Sequence, residues 1–411
     1  MKPQPPVTMM FLGANSSAMR PILPARGEMQ RMPVGCAERP VSGVRSINIL
    51  TVNRSLSIPR TGEEPFVSFL IPVYNAEREL PATLDSIVKQ DDGSIEIICV
   101  NDGSRDNSGA VLETYSRNYP FIHVVTQENQ GITCARNAAL EQASGEWICF
   151  VDNDDIVADQ AVDVFHKTAE ADVDIVYFDY EKFMDRLPDQ SANHLGDSMY
   201  IHGNRLVKLQ SDCINRFKKN VPIISHKTMP TPWAKIYRRS FLTEHGLKFR
   251  SDVKHEEDVV FNYELLSYCH AAKKVDYISY YYRWSVESES HRYRPDLIDD
   301  VRHTLRAYRE IIERCYPTRK DMHELYQYRV FWELLYCTVL GPIHPLNPNS
   351  YSVRRQQFRT LLNDPLFKPV IGDRRIRTTR FEIKQSVLAT LIRIRWFWML
   401  NRLGKIVGKA R

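Results

Sequence analysis

Four short apolar runs, set apart by helical stretches, constrain this chain more than any other feature. Phe66–Ile71, Ile95–Val100, Phe121–Val125 and Trp147–Val151 are each five or six residues long. Between the first two, Leu80, Leu84, Ile87 and Val88 recur at helical spacing, and helices are predicted from about Asn107 to Tyr119 and from Thr133 to Ala143. Strands alternating with helices of this length imply βαβ units and an α/β fold built on a Rossmann-like, mostly parallel sheet flanked by helices. In such sheets ligands bind beyond the carboxyl ends of the strands. Three polar clusters fall there: Tyr74-Asn75, Asp102, and Asp152-Asn153-Asp154-Asp155. A further strand is expected at 174–178, an extended tyrosine-rich segment at 274–284, and helices at 206–218, 257–268, 297–315 and 321–340.

The window from Asp152 to Asp155 packs three carboxylates into four residues. Like charges this close raise one another's pKa unless a cation neutralises them. Mg²⁺ or Mn²⁺ takes hard oxygen ligands of this kind and bridges to substrate phosphates. The same residues also suit a solvated turn in which Asp155 or Asp159 caps the next helix. Asp102 lies in Asn101-Asp102-Gly103-Ser104, a good turn sequence; a carboxylate at that edge can also accept a base N–H. A second acidic group, Glu256-Glu257-Asp258, opens the predicted helix at 257. The helix dipole favours acids in a first turn, and a carboxylate there can also take the proton of an attacking hydroxyl. His255, just before it, reads as a solvated loop histidine.

No GxGxxG follows the first strand and no GxxxxGK[ST] occurs, so neither a dehydrogenase nor a P-loop enzyme is indicated. The Gly-rich loop that sugar-nucleotide pyrophosphorylases place after strand one is missing too. The segment Val67–Asp159 resembles the donor-binding half of an inverting family 2 glycosyltransferase of the GT-A fold. The matching pieces are Ile71-Pro72-Val73-Tyr74-Asn75, Val100-Asn101-Asp102-Gly103-Ser104, Asn129-Gln130-Gly131 leading to Ala135-Arg136-Asn137, and Phe150-Val151-Asp152-Asn153-Asp154-Asp155. Pro232–Phe241, Glu257-Asp258-Val259-Val260-Phe261 and Tyr280-Tyr281-Tyr282-Arg283 are similar to the bacterial surface-polysaccharide branch. The resemblance covers residues 64 to about 290.

That resemblance implies roles. Pro72, Tyr74 and Asp102 would line a uracil pocket, and Arg136, Asp152 and Arg283 would serve the nucleotide-sugar, with Arg283 facing the diphosphate. Asp154 would be the direct metal ligand, with Asp152 and His291 contributing to a Mn²⁺ or Mg²⁺ site. Asp258 would be the general base, with Glu257 beside it. The implied enzyme moves a sugar from a UDP-sugar to a glycan or lipid-linked acceptor hydroxyl with inversion. A sugar nucleotidyltransferase and a non-catalytic nucleotide-sugar or glycan-binding module are the competing readings.

Composition adds limits. The net charge of +5 is mild, and no stacked-aromatic motif suggests nucleic acid. The 8 cysteines form no CxxC pair, which reads as reduced core thiols. No apolar run approaches the roughly 18 residues of a membrane span, and the patch Met9–Leu12 is shorter than a signal-peptide core, so a cytoplasmic location is expected. Residues 1–62 read as a disordered extension and 63–290 as the GT-A domain, with donor half to about 180 and acceptor half from 181. Residues 291–380 read as a helical C-terminal region and 381–411 as a basic amphipathic tail. On one continuous helix Lys384, Arg395, Arg402, Lys405 and Lys409 share an arc of roughly 80°. With Trp396-Phe397-Trp398 at its centre, the tail reads as an anchor to an anionic membrane on the cytoplasmic face, separable from the donor site.

Overall fold

The computed structural model describes residues 51–53, 64–214, 224, 230–284, 293–294, 296–377 and 381–409, with 51–53 and 405–409 described through their backbone alone. By contacts the chain divides into Met1–Ile47, which lies outside the described residues, and Asn48–Arg411. The strands are β1 Thr51–Asn53, β2 Val67–Val73, β3 Ile95–Asp102, β4 Ile122–Gln127, β5 Trp147–Phe150, β6 Ile156–Val157, β7 Ile175–Phe183, β8 Ser198–Ile201, β9 Lys235–Arg238 and β10 Ala272–Arg283. They form one sheet in the order β1-β4-β3-β2-β5-β9-β7-β10-β6, with β8 also on β10.

The longer ladders are parallel. β2 pairs with β3 from Val67↔Ile95 to Val73↔Asn101, and with β5 from Val67↔Trp147 to Leu70↔Phe150; β3 continues to β4 and β10 runs parallel to β7. The antiparallel pairings of β1, β6, β8 and β9 span only a few residues each. Thr51–Asn53 were expected within the unstructured extension; instead they pair with β4. The rest of that expectation lies outside the described residues.

Side chains of a strand alternate between faces, and the core divides accordingly. Leu70, Ile98, Val100 and Phe150 pack with the helices Ile132–Gln142, Asn204–Ile214 and Glu257–Leu266. Phe69, Ile71, Ile97 and Cys149 pack with Leu80–Val88 and Ala161–Thr168 on the other face. Burial on both faces explains why these strands read as continuous apolar runs. One carboxylate is built into the layer: buried Glu96 accepts from Ser68 Oγ, Ser144 N and Gly145 N. Gly145 is required there, since a Cβ would lie 2.6 Å from Ser68 Oγ.

Chain order places the crevice. From β2 the chain steps outward to β3 and β4, then returns to β5 on the other side of β2. The sheet reverses its winding between β2 and β5, and the loops after those strands part at that point.

The expected division at 290 is not a packing boundary. The helices Leu297–Cys315 and Lys320–Leu340 share one apolar cluster with Glu257–Leu266. The tail differs from expectation as well. It forms two helices, Ile383–Arg393 and Phe397–Lys409, broken at Arg395, whose φ is +56°. The single continuous helix that the expected arc assumed is therefore interrupted. Ala389, Leu391, Ile392, Phe397 and Leu400 are buried in the main cluster. Arg393 donates to the carbonyls of Asp373 and Ile376, which pins the first tail helix to the fold. The described part of the tail therefore packs into the same apolar cluster as the preceding helices. Phe397 packs 5.3 Å from the Phe358 ring and 5.4 Å from that of Tyr351. We expect Phe397→Ala to destabilise the protein by about 3–5 kcal/mol in denaturant unfolding; a change below about 1 kcal/mol would show that the tail does not share the core.

Candidate active site

The loop after β3 sets the geometry. Gly103 has φ +68°, and a Cβ there would lie 2.8 Å from Asn129 N. This close approach brings Asp102 under the segment 127–131. Its Oδ1 accepts from Gln127 Nε2 (2.7 Å) and Gln130 N (2.8 Å), and its Oδ2 from Gly131 N (2.8 Å). Asp102 thus fixes the entry to the helix Ile132–Gln142, the helix that carries Arg136.

Arg136 is buried at 3% exposure. Its Nη2 lies 2.9 Å from Asp152 Oδ1 and its Nη1 3.3 Å from Glu257 Oε1. One guanidinium therefore joins the carboxyl end of β5 to the first turn of the helix Glu257–Leu266. Burial alone would weaken a cation; the charges of Asp152 and Glu257 hold its pKa above the ordinary arginine value. Burial, reinforced by the neighbouring charge of Asp258, pushes the Glu257 carboxyl up to about 7, against the pull of Arg136. Asp258, next along, accepts from Val259 N at 2.8 Å.

The three aspartates after β5 part company. Asp155 turns inward and is fully buried: Tyr280 Oη donates to its Oδ2 (2.7 Å) and Arg283 N to its Oδ1 (2.7 Å). Tyr280 Oη also accepts from Asp152 N at 3.0 Å, so β10 fixes the loop twice. Asp152 faces Arg136. Asp154 has no ion pair among the described residues, and burial, then the charge of Asp152, push its carboxyl up to about 6. A desolvated carboxylate beside another is the donor chemistry that a divalent cation fits. The expected cluster is smaller than the sequence suggested, because Asp155 serves the fold. Asp154 with Asp152 remains; His291 lies outside the described residues.

Arg283 donates from Nε to the Asp154 carbonyl (2.8 Å) and stacks 4.5 Å over the Phe183 ring. Pro72 is buried within β2, and Tyr74, one residue past its end, is 44% exposed at the crevice. Asn75, with φ +48°, accepts from Arg105 N at 2.8 Å and ties the two loops together.

Behind the acidic pair lies a group that the sequence did not reveal. His255, Glu256 and Glu333 bring ligand atoms within 4.8 Å of one another. The cation among them is Arg329, fully buried, paired with Glu256 and 2.7 Å from Glu333 Oε1. Its charge, against the cost of burial, brings the Glu333 carboxyl down to about 2. His255 is not solvated: it is buried, 3.2 Å from Glu333 Oε2 and stacked on Tyr336 at 5.3 Å. Glu256 has φ +57°, an unfavourable conformation for a residue with a side chain. Arg329 holds it there and so aims the first turn bearing Glu257 and Asp258.

Residues 68–246 match the family model described as Glycosyl transferase family 2. This segment is a family 2 glycosyltransferase domain. The likeness reaches past it: EpsH of Bacillus subtilis (strain 168), ascribed glycosyltransferase activity, is 28% identical over 81% of this chain and 93% of its own length. The poly(ribitol-phosphate) beta-glucosyltransferase of Bacillus spizizenii is 31% identical over 52% of this chain and 32% of its own. Among solved structures, S. aureus TarS 1–349 in complex with UDP-GlcNAc superposes with a TM-score of 0.55 at 19% identity, covering 84% of this chain and 91% of that one. That likeness establishes the GT-A fold, and the matched segment gives this chain a family 2 glycosyltransferase domain.

Removing Arg329 would leave buried Glu333 with only His255 beside it and half-buried Glu256 without its arginine. We expect Arg329→Met to cost about 3–5 kcal/mol in denaturant unfolding. Arg329→Lys, which keeps the charge but loses the fork, should recover part of it. A loss below about 1 kcal/mol in Arg329→Met would show that the network does not hold the acidic turn.

Proposed function

We propose that this glycosyltransferase moves a sugar from a UDP-sugar to a hydroxyl of a glycan or lipid-linked acceptor with inversion, using Mn²⁺ or Mg²⁺. The observation that carries the reading is Arg136, which joins the strand-end aspartate to the acidic turn. Groups suited to a donor and groups suited to an acceptor then share one crevice at the switch point between β2 and β5.

Tyr74 offers an exposed ring for the uracil, with Pro72 behind it. Asp102 keeps acceptor capacity on Oδ2, which takes a single internal bond, and this suits a uracil N–H. Asp154, with Asp152 beside it, would hold the cation, whose charge stabilises the departing diphosphate. Arg283, stacked on Phe183, adds a fixed positive group on the same side. Asp258 takes the proton of the acceptor hydroxyl as that oxygen attacks the anomeric carbon. Glu257, engaged by Arg136, shapes the field around it. Attack from the face opposite the leaving group needs no covalent intermediate.

Association with an anionic membrane on the cytoplasmic side fits the C-terminal region. No helix among the described residues is long and apolar enough to cross a bilayer. Ile383 (77% exposed), Ile394 (59%), Trp396 (46%) and Trp398 (48%) present apolar surface among basic residues, a combination that suits an interface.

A panel of nucleotide-sugars with Mn²⁺, scored by release of diphosphate, tests the reading. We expect turnover with a UDP-sugar, its loss in EDTA and its return with added metal. Asp258→Asn should reduce turnover by about 10²-fold or more while UDP binding persists. Full turnover in excess chelator would remove the metal from the account, and full turnover in Asp258→Asn would remove the base.

A further inference from the structure

Positive charge is distributed unevenly along the chain. Residues 341–411 hold 15 Lys and Arg against 3 Asp and Glu, whereas the whole chain holds 55 against 50. Three arginines of the helix Leu297–Cys315 line one cavity, and three of the region 341–411, Arg355, Arg359 and Arg395, line a second; neither shares a lining residue with the acidic crevice. The first, about 520 Å³, lies between the helices Leu297–Cys315 and Lys320–Leu340 and is lined by Arg302, Arg306, Arg309, Tyr326 and the wall Pro365-Leu366. The second, about 230 Å³, is lined by Arg355, Arg359, Arg395, Phe358 and Asn363. Adjacent residues, Asn363 and Asp364, line one cavity each, so the two flank a single turn.

The arginines differ in what they face. Arg302 is engaged by Asp299 and by buried Asp364, both at 2.5 Å, which also uses the one acid of the first cavity. Arg306, Arg309, Arg355, Arg359 and Arg395 have no ion pair among the described residues and are exposed. Two neighbouring arginines do find carboxylates: Arg250 has Asp252 and Glu310, and Arg314 has Glu264. Unpaired cations gathered around concave surface repel one another, and an anion entering relieves the repulsion. The planar guanidinium fork matches phosphate oxygens in particular.

We propose that these two cavities bind successive phosphate groups of a polyanionic, phosphodiester-bearing chain. Recessed cavities favour a flexible chain over the flat plane of bilayer headgroups. Regarding that chain as the acceptor rests on the transfer reading above; the anion site itself does not.

The test uses the full chain and two probes: linear inorganic polyphosphate in titration calorimetry, and phosphatidylglycerol vesicles in co-sedimentation. Arg306→Gln/Arg309→Gln and Arg355→Gln/Arg359→Gln alter exposed residues outside the acidic crevice. Each pair should weaken polyphosphate binding by about tenfold or more, with UDP binding unchanged in both. No polyphosphate binding, equal binding by wild type and both variants, or binding to vesicles alone would each overturn the proposal. Absence of UDP binding in the wild type would instead count against the transfer reading and leave the anion site standing.

Discussion

A buried guanidinium between two carboxylates is the contact on which the rest of the crevice depends. Arg136 has no water to solvate it, so Asp152 and Glu257 must stay where they neutralise it. Desolvating a cation costs several kcal/mol and is offset only when its partners are close and well aligned. The arrangement therefore fixes distances between elements far apart in sequence: the end of β5 and the helix beginning at Glu257. Asp102 acts one step earlier, ordering the loop from which the Arg136 helix starts.

The C-terminal helices extend the same logic. They contribute Arg329 and Glu333 to a network that faces Glu256 directly. A residue held at positive φ one position before Glu257 gives the acidic turn a defined entry angle. The helical region is thus the wall against which the acidic turn is held, and the two tail helices pack into the same cluster, the first through Leu391 and Ile392 and the second through Phe397 and Leu400.

Local signals carried much of this into the sequence. The doubly buried strands appear as unbroken apolar runs, and their ends appear as polar clusters, so the crevice could be placed on one edge from the sequence alone. Pairings distant in sequence left less trace. Asp155 looks identical to Asp154 in sequence, yet only Asp155 meets Tyr280 and the Arg283 amide. Arg329 and Glu333, four apart on a helix, look like a solvated surface pair but are fully buried. β9 escaped notice because it starts with Lys235, a buried lysine whose ammonium burial pushes down to about 7. The tail misled for another reason: a wheel assumes one continuous helix, and the backbone at Arg395 breaks it.

The stereochemistry of transfer bears most directly on the arrangement of one acidic turn opposite one donor edge. With an α-linked UDP-sugar and a defined acceptor, the anomeric coupling constant of the first-formed product can be read by proton NMR. Single-step attack assisted by Asp258 in the acidic turn should give only the β-linked product. An α-linked product would contradict it, since retention requires either a second displacement or attack on the same face as the departing diphosphate, and neither is attack on the opposite face.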